Sequence, residues 1–288
     1  MLVTADRVFG GHLYVRNGKI AAISDDGTLP AREELDAAGL YVLPGMLDCH
    51  AHINDPGFTW REDLPHASEA AAVGGVTTLI DMPLQNTPPL TSADAFANKL
   101  AVFEGRSLVD YALWGGLVTD NTAELAGMDA AGAVGFKAFI APVSLGYSSV
   151  DMGLAREALF RIKAFGGLAG FHCEDHALIC AGEAKAKAGG GTRRAFLDSR
   201  PVVAEVIATA NVIELARETG ARVHICHVSH PRVAELVRRA QADGLSVTGE
   251  TCPHYLLLTD RALEKRDANF RMNPPLRTEE DRLAMIEA

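Results

Sequence analysis

The chain has 288 residues, 48% of them hydrophobic, enough for one large domain or two average ones around a sizeable core. Its formal net charge is −10 and no Lys/Arg cluster stands out, which argues against nucleic acid or an anionic membrane as partner. No apolar stretch reaches transmembrane length, no basic run precedes an apolar core at the start, and the five cysteines form no CxxC pair, so a reduced, cytoplasmic protein without a secretory leader is expected.

Residues 1–40 read as a small β element outside the main domain. Within them, HLYVRNGKIAAISDDG (12–27) predicts two short strands around an Asn17-Gly18 turn. From residue 41 to the end, short apolar runs alternate with helical patterns. The runs are LYVLPGMLDCHAH (40–52), GVTTLIDMPL (75–84), VDYALWGGLVT (109–119), AVGFKAFIA (133–141), GGLAGFHCED (166–175), ARVHICHVS (221–229) and LSVTGETCPHYLLL (245–258). Between them, Asp151 is expected to cap a helix ending at Gly166. Pro201 suits the first turn of another that Gly220 stops, and Ser229 with Pro231 opens a third ending near Gly244. Alternating β and α predicts a parallel sheet, and near-continuous apolar strands predict one buried on both faces. Seven such units fit an α/β fold of the (β/α)8 TIM-barrel type short of one unit. A doubly wound open sheet is the alternative, weakened because no GxGxxG or phosphate loop follows a strand. The last segment, RTEEDRLAMIEA, reads as a helix capped by Thr278, with Leu283 and Ile286 as its apolar side. The strand such a helix should lead to does not follow, so the chain is expected to be a barrel fragment.

The chemistry sits at the strand ends. His50 and His52 are two apart and would share one strand face with Asp48, while Cys49 and Ala51 point away. Hydrogen-bonded core histidines are the competing reading. His172 closes the fifth run, with Glu174 after it, and His227 closes the sixth, with His224 three residues earlier. Imidazoles at three strand ends suit zinc or a similar divalent ion. Lys137 lies in a buried strand, where an unpaired lysine is costly. It either reaches the strand end, pairs with an acid, or reacts as a neutral amine with CO2 to give a carbamate.

Six segments carry a resemblance: DCHAHINDPG (48–57), VGFKAFIA (134–141), FHCEDHALIC (171–180), SRPVVAEV (199–206), HICHVSHP (224–231) and ETCPHYLLL (250–258). In this order and spacing they resemble the cyclic amidohydrolases of the amidohydrolase superfamily, from about Leu13 to the last residue. The resemblance implies that His50 and His52 bind one metal and His172 and His227 a second, bridged by carboxylated Lys137. Zinc is the first expectation for the two divalent ions, with Co, Mn or Fe as alternatives. It also implies a general-base aspartate after an eighth strand, in a motif this sequence lacks. The fragment is therefore expected to bind metal weakly and to have little activity. Residues 1–40 would be part of a β-sandwich, and a full-length form would be a homo-oligomer, a tetramer.

Within the family the residues look most like the allantoinases, which open the ring of a cyclic ureide. Dihydroorotases look like HxHLREPG, whose arginine grips a carboxylate; Asn54 stands at that position, and an amide both donates and accepts. NPPLR, with Asn273, looks dihydroorotase-like, and Asn54 and Asn273 are the expected substrate contacts. Hydantoinases carry a tyrosine five residues after the bridging lysine, where this chain has Pro142, with Tyr147 nearby. A dihydroorotase, a hydantoinase or dihydropyrimidinase, and a non-catalytic scaffold are the alternatives. Bland readings are preferred elsewhere. Trp60, Glu62 and Asp63 are expected in a solvated loop. Glu250, His254 and Tyr255 lie near the seventh strand's end, and His12, His66 and His230 read as surface or cap residues.

Overall fold

The computed structural model describes residues 1–143, 147–265 and 268–288. At the start, β1 (Leu2–Val3) pairs antiparallel with β2 (Val8–Phe9), and β3 (His12–Arg16) with β4 (Lys19–Ser24). Asn17 (φ 53°) and Gly18 (φ 72°) turn the second hairpin, and two successive left-handed residues match the twist of its strands.

The α/β part is built on parallel strands. They are β5 (Met46–Ala51), β6 (Val76–Asp81), β7 (Asp110–Leu113), β8 (Gly115–Gly116), β9 (Phe136–Phe139), β10 (Leu168–His172), β11 (Arg222–Ile225) and β12 (Val247–Gly249). Their order follows the chain, β5-β6-β7 in one sheet and β8-β9-β10-β11-β12 in the other. The two meet at Trp114, which breaks the third run. Its N–H donates to Asp81 O at 2.9 Å, and Gly115 N–H donates to Gly135 O at 2.9 Å, so the wall is continuous through the break. The indole needs this space: a Cβ on Gly135 would stand 2.5 Å from its ring, and one on Gly170 2.9 Å. Strands β9 and β10 are buried almost throughout, as a sheet covered on both faces requires. Among the described residues β5 and β12 each keep one unpaired edge, yet their C-terminal ends meet through His50 and Glu250.

Several helix boundaries follow local chemistry. Asp151 caps Met152–Ala164 by accepting from Leu154 N, and that helix stops just short of Gly166. Val202–Thr219 starts after Pro201 and ends on Gly220 in the left-handed region (φ 65°). Pro231–Ala242 is capped by His230 rather than Ser229. The Ser229 hydroxyl is already committed, donating to Glu205 Oε2 at 2.5 Å, while His230 Nδ1 accepts from Arg232 N–H at 3.1 Å. The seventh run is strand only over its first residues. Pro253–Leu257 is helical, and Tyr255 is buried with its hydroxyl on Pro274 O at 2.7 Å. Thr278 and Asp281 form a reciprocal capping box for Glu279–Glu287. That helix buries Met285, whereas Leu283 and Ile286 are exposed, so its apolar side lies elsewhere than the sequence suggested. Bonds from His230 to Asp281 (3.0 Å) and from Arg282 to Leu256 O (2.8 Å) fix its rotation. Among the described residues no helix is long and apolar enough to cross a membrane.

Candidate metal centre

The C-terminal ends of the strands surround a cavity of about 220 Å³. Its lining includes His50, His52, Lys137, His172 and His227, so the structure brings together all five expected ligands. His50 lies on β5, but the pairing shifts between Asp48 and Ala51, and His52 falls just past the strand. The simple alternation of faces therefore fails there. Asp48 is exposed, does not line the cavity, and accepts from His50 N–H at 3.0 Å. His172 is the last residue of β10, and His227 follows β11 with a positive φ of 42° that swings it inward. The imidazole centroids of His50 and His227 stand 5.4 Å apart, and those of His50 and His52 5.3 Å.

The nitrogens converge closely. His172 Nδ1 is 3.1 Å from His227 Nε2, and Lys137 Nζ is 3.5 Å from the same atom. Lys137 is fully buried and, among the described residues, pairs with no carboxylate, so it neither reaches solvent nor sits beside an acid. Among the described residues His227 Nδ1 is buried without a partner. Burial first, then the neighbouring Lys137 and imidazoles, pushes His227 well below the ordinary histidine range. His50 and His172 are also lowered by burial, against the pull of Glu250 and Glu174. His52, whose surface is more open than that of the other imidazoles, is lowered too, by desolvation first and then by His50 and Lys137. Neutral imidazoles with free lone pairs are the form that binds a metal. The donor set and the buried orphan nitrogen fit divalent ions.

Each part of the site has an anchor. Glu174 Oε2 accepts from His172 Nε2 at 2.7 Å and from Arg200 Nη1 at 2.5 Å, and Arg200 Nη2 reaches Glu183 at 2.8 Å. Burial raises Glu174, but His172 and Arg200 outweigh it and hold the carboxyl below its usual value. This leaves His172 Nδ1 as the atom facing the other nitrogens. Behind His52, the backbone of Ile53 is clasped by a buried ion pair. Asp81 Oδ1 accepts from Ile53 N–H at 2.6 Å; Lys99, paired with Asp81, donates to Ile53 O at 2.9 Å and to Asn86 Oδ1 at 2.6 Å.

The remaining candidates separate. Asn273 lines the cavity. Asn54 does not; it is buried behind His52, with Nδ2 3.5 Å from His52 O and Oδ1 unpartnered among the described residues. Pro142 lines the cavity, whereas Tyr147 is buried and donates its hydroxyl to Lys137 O at 2.5 Å, bracing the strand that carries the lysine. Trp60 and His12 are exposed. Asp63 caps Leu64–Val73 and also holds His66 at the surface. Sequence reasoning passed over Asp81, Lys99, Arg200 and the importance of Glu250. Lys99 left a trace, as a lone cation between Phe96 and Phe103 on one buried helix face.

Comparison with known proteins matches residues 39–232 to the dihydro-orotase-like family. The allantoinase of Bacillus velezensis is 39% identical over 276 residues, covering 95% of this chain and 61% of that protein. The allantoinase of Deinococcus radiodurans is 36% identical over 279 residues, covering 96% of this chain and 62% of the relative. The chain thus spans about three fifths of the length of these relatives. Among solved structures, the L-hydantoinase (dihydropyrimidinase) of Arthrobacter aurescens superposes with a TM-score of 0.94 at 37% identity, over 99% of this chain and 64% of that one. A D-hydantoinase superposes with a TM-score of 0.89 at 31% identity, over 100% of this chain and 64% of the other. With its strand-end histidines, buried lysine and parallel wall, the chain belongs to the dihydro-orotase-like family.

Proposed function

We propose that this chain carries the metal-binding part of a cyclic amidohydrolase that hydrolyses a ring C–N bond, with allantoin as the leading substrate. The observation that carries the reading is the convergence of Lys137 Nζ, His172 Nδ1 and His227 Nε2 in one cavity that His50 and His52 also line. We read the wall as seven of the eight units of a (β/α)8 barrel. His50 and His52 would hold one divalent ion and His172 and His227 another. Lys137, reacting through its unprotonated form, would add CO2 and release a proton to become a carbamate, supplying a carboxylate that could serve both ions. Two such ions, zinc first among them, would lower the pKa of water and polarise the scissile ring carbonyl.

The chain's own residues set the rest of the chemistry. The low proton affinity of His50, His172 and His227 keeps their lone pairs available near neutral pH. Phe139, Leu84, Pro142 and Val143 wall the cavity and limit the water around the reacting bond. The amide of Asn273 would meet the N–H and C=O groups of an uncharged ureide, whereas Asn54, buried behind His52 and outside the cavity lining, would act through the backbone that carries that imidazole.

Hydantoin or dihydroorotate hydrolysis is the second reading. Asn273, whose segment looks dihydroorotase-like, is on the cavity wall, and the two structural neighbours are hydantoinases. The test is turnover of allantoin, hydantoin, dihydropyrimidines and dihydroorotate, with added Zn, Mn or Co, by this chain and by a form extended to the length of its relatives. Allantoin ranking first supports the proposal. A preference for dihydroorotate transfers it to the second reading, and turnover of none by the metal-loaded extended form refutes both.

A further inference from the structure

Glu250 stands outside the cavity lining, yet its carboxylate serves residues that form it. It follows β12, and its backbone locks onto the neighbouring segment on both sides. Its N–H donates to Ile225 O at 3.0 Å, and its carbonyl accepts from Val228 N–H at 2.7 Å. This holds the side chain in place. Oε1 meets His50 Nδ1 and also accepts from the His227 backbone N–H at 3.3 Å. Oε2 lies 3.4 Å from His224 Nε2, and the other nitrogen of that ring is 2.8 Å from Thr248 Oγ1. The oxygen that meets His50 is already placed as an acceptor by the His227 N–H, so in this arrangement Nδ1 of His50 is the donor and carries the proton.

We infer that Glu250 is the positioning residue of His50. It fixes the Nδ1–H tautomer, so the ring's single lone pair is on Nε2. The same oxygen ties His50, from the first strand segment, to the backbone of His227, from the sixth. One carboxylate thus sets the spacing of two residues assigned to different ions, and His224 steadies its second oxygen. A carboxylate behind a metal-binding imidazole fixes ring orientation and raises ligand basicity. The inference rests on the metal reading above. A rival role exists, because His50, Cys226 and Glu250 offer ligand atoms that all lie within 4.8 Å of one another, and Glu250 could ligate an ion directly.

Two measurements on the same variants decide. Nitrogen NMR of the metal-free chain reports the His50 tautomer, and chelator competition reports zinc affinity and the number of ions at saturation. In the wild type and in Glu250→Gln, which keeps an acceptor oxygen, His50 is expected as the Nδ1–H form. In Glu250→Ala that preference is lost. Zinc affinity falls about 10- to 100-fold in Glu250→Ala, with Glu250→Gln between, and the number of ions at saturation is unchanged. An Nε2–H tautomer in the wild type overturns the inference. So does wild-type affinity in Glu250→Ala, or loss of a whole ion in both variants, which would make Glu250 a ligand. A wild-type chain that binds no zinc refutes the metal reading instead, and the tautomer alone then decides whether Glu250 orients His50.

Discussion

Lys99→Met perturbs the ion pair that holds the backbone behind His52. In the wild type, Lys99 and Asp81 are both completely buried, and the ammonium also satisfies Ile53 O and Asn86 Oδ1. Methionine keeps most of the volume but strands a buried carboxylate and two acceptors. Removing one member of a buried pair costs about 3–5 kcal/mol, and an unsatisfied acceptor about 1–3 kcal/mol more, partly overlapping, so a loss near 5 kcal/mol is expected at pH 8. The loss depends on pH with a definite sign. Burial already pushes Asp81 upward, and removing the cation pushes it further. Its folded-state pKa then lies above the unfolded value of about 3.9, so the loss is full above the folded value and shrinks as pH falls through it. Urea unfolding of both proteins at pH 8 and pH 5 measures the difference. The double variant Asp81→Leu with Lys99→Met should recover much of the loss. A difference below about 1 kcal/mol at pH 8, or one that grows on acidification, would refute the role assigned to the pair.

Arg277→Leu removes bonds to Glu205 (3.0 Å), Ser229 Oγ (2.9 Å) and Arg200 O (2.7 Å) and leaves Glu205 buried without its cation. A loss of about 3–5 kcal/mol is expected, read as a fall in the urea midpoint. Gly135→Ala places a Cβ against the Trp114 indole and should cost about 1–3 kcal/mol by overpacking, visible as a lower Tm and altered tryptophan fluorescence. Tyr147→Phe deletes the hydroxyl that braces Lys137 O and should cost about 1–2 kcal/mol in urea unfolding without changing the number of metal ions bound at saturation.

Periodicity carries the framework because parallel strands buried on both faces leave long apolar runs, as in VGFKAFIA and GGLAGFHCED. The capping signals at Asp151, Gly220 and Thr278 are local, and they hold. Local rules fail where a distant partner decides. Ser229 has the chemistry of a cap, but Glu205 takes its hydroxyl. PHYLL has the composition of a strand, but Pro253 starts a helix and Tyr255 is drawn to Pro274. The centre itself was legible because its imidazoles sit at the ends of apolar runs and its lysine stands alone inside one. The groups that orient it were not, because Asp81 with Lys99, and Glu250 with His50, are contacts between segments far apart in the chain.

The most direct test of the account is the number of divalent ions bound per chain, titrated with bicarbonate present, in the wild type and in Lys137→Ala. The account predicts saturation at about two ions in the wild type, and at one or none when the buried amine is removed. A wild-type chain that binds no divalent ion, or a Lys137→Ala chain that binds as many and as tightly as the wild type, would contradict it.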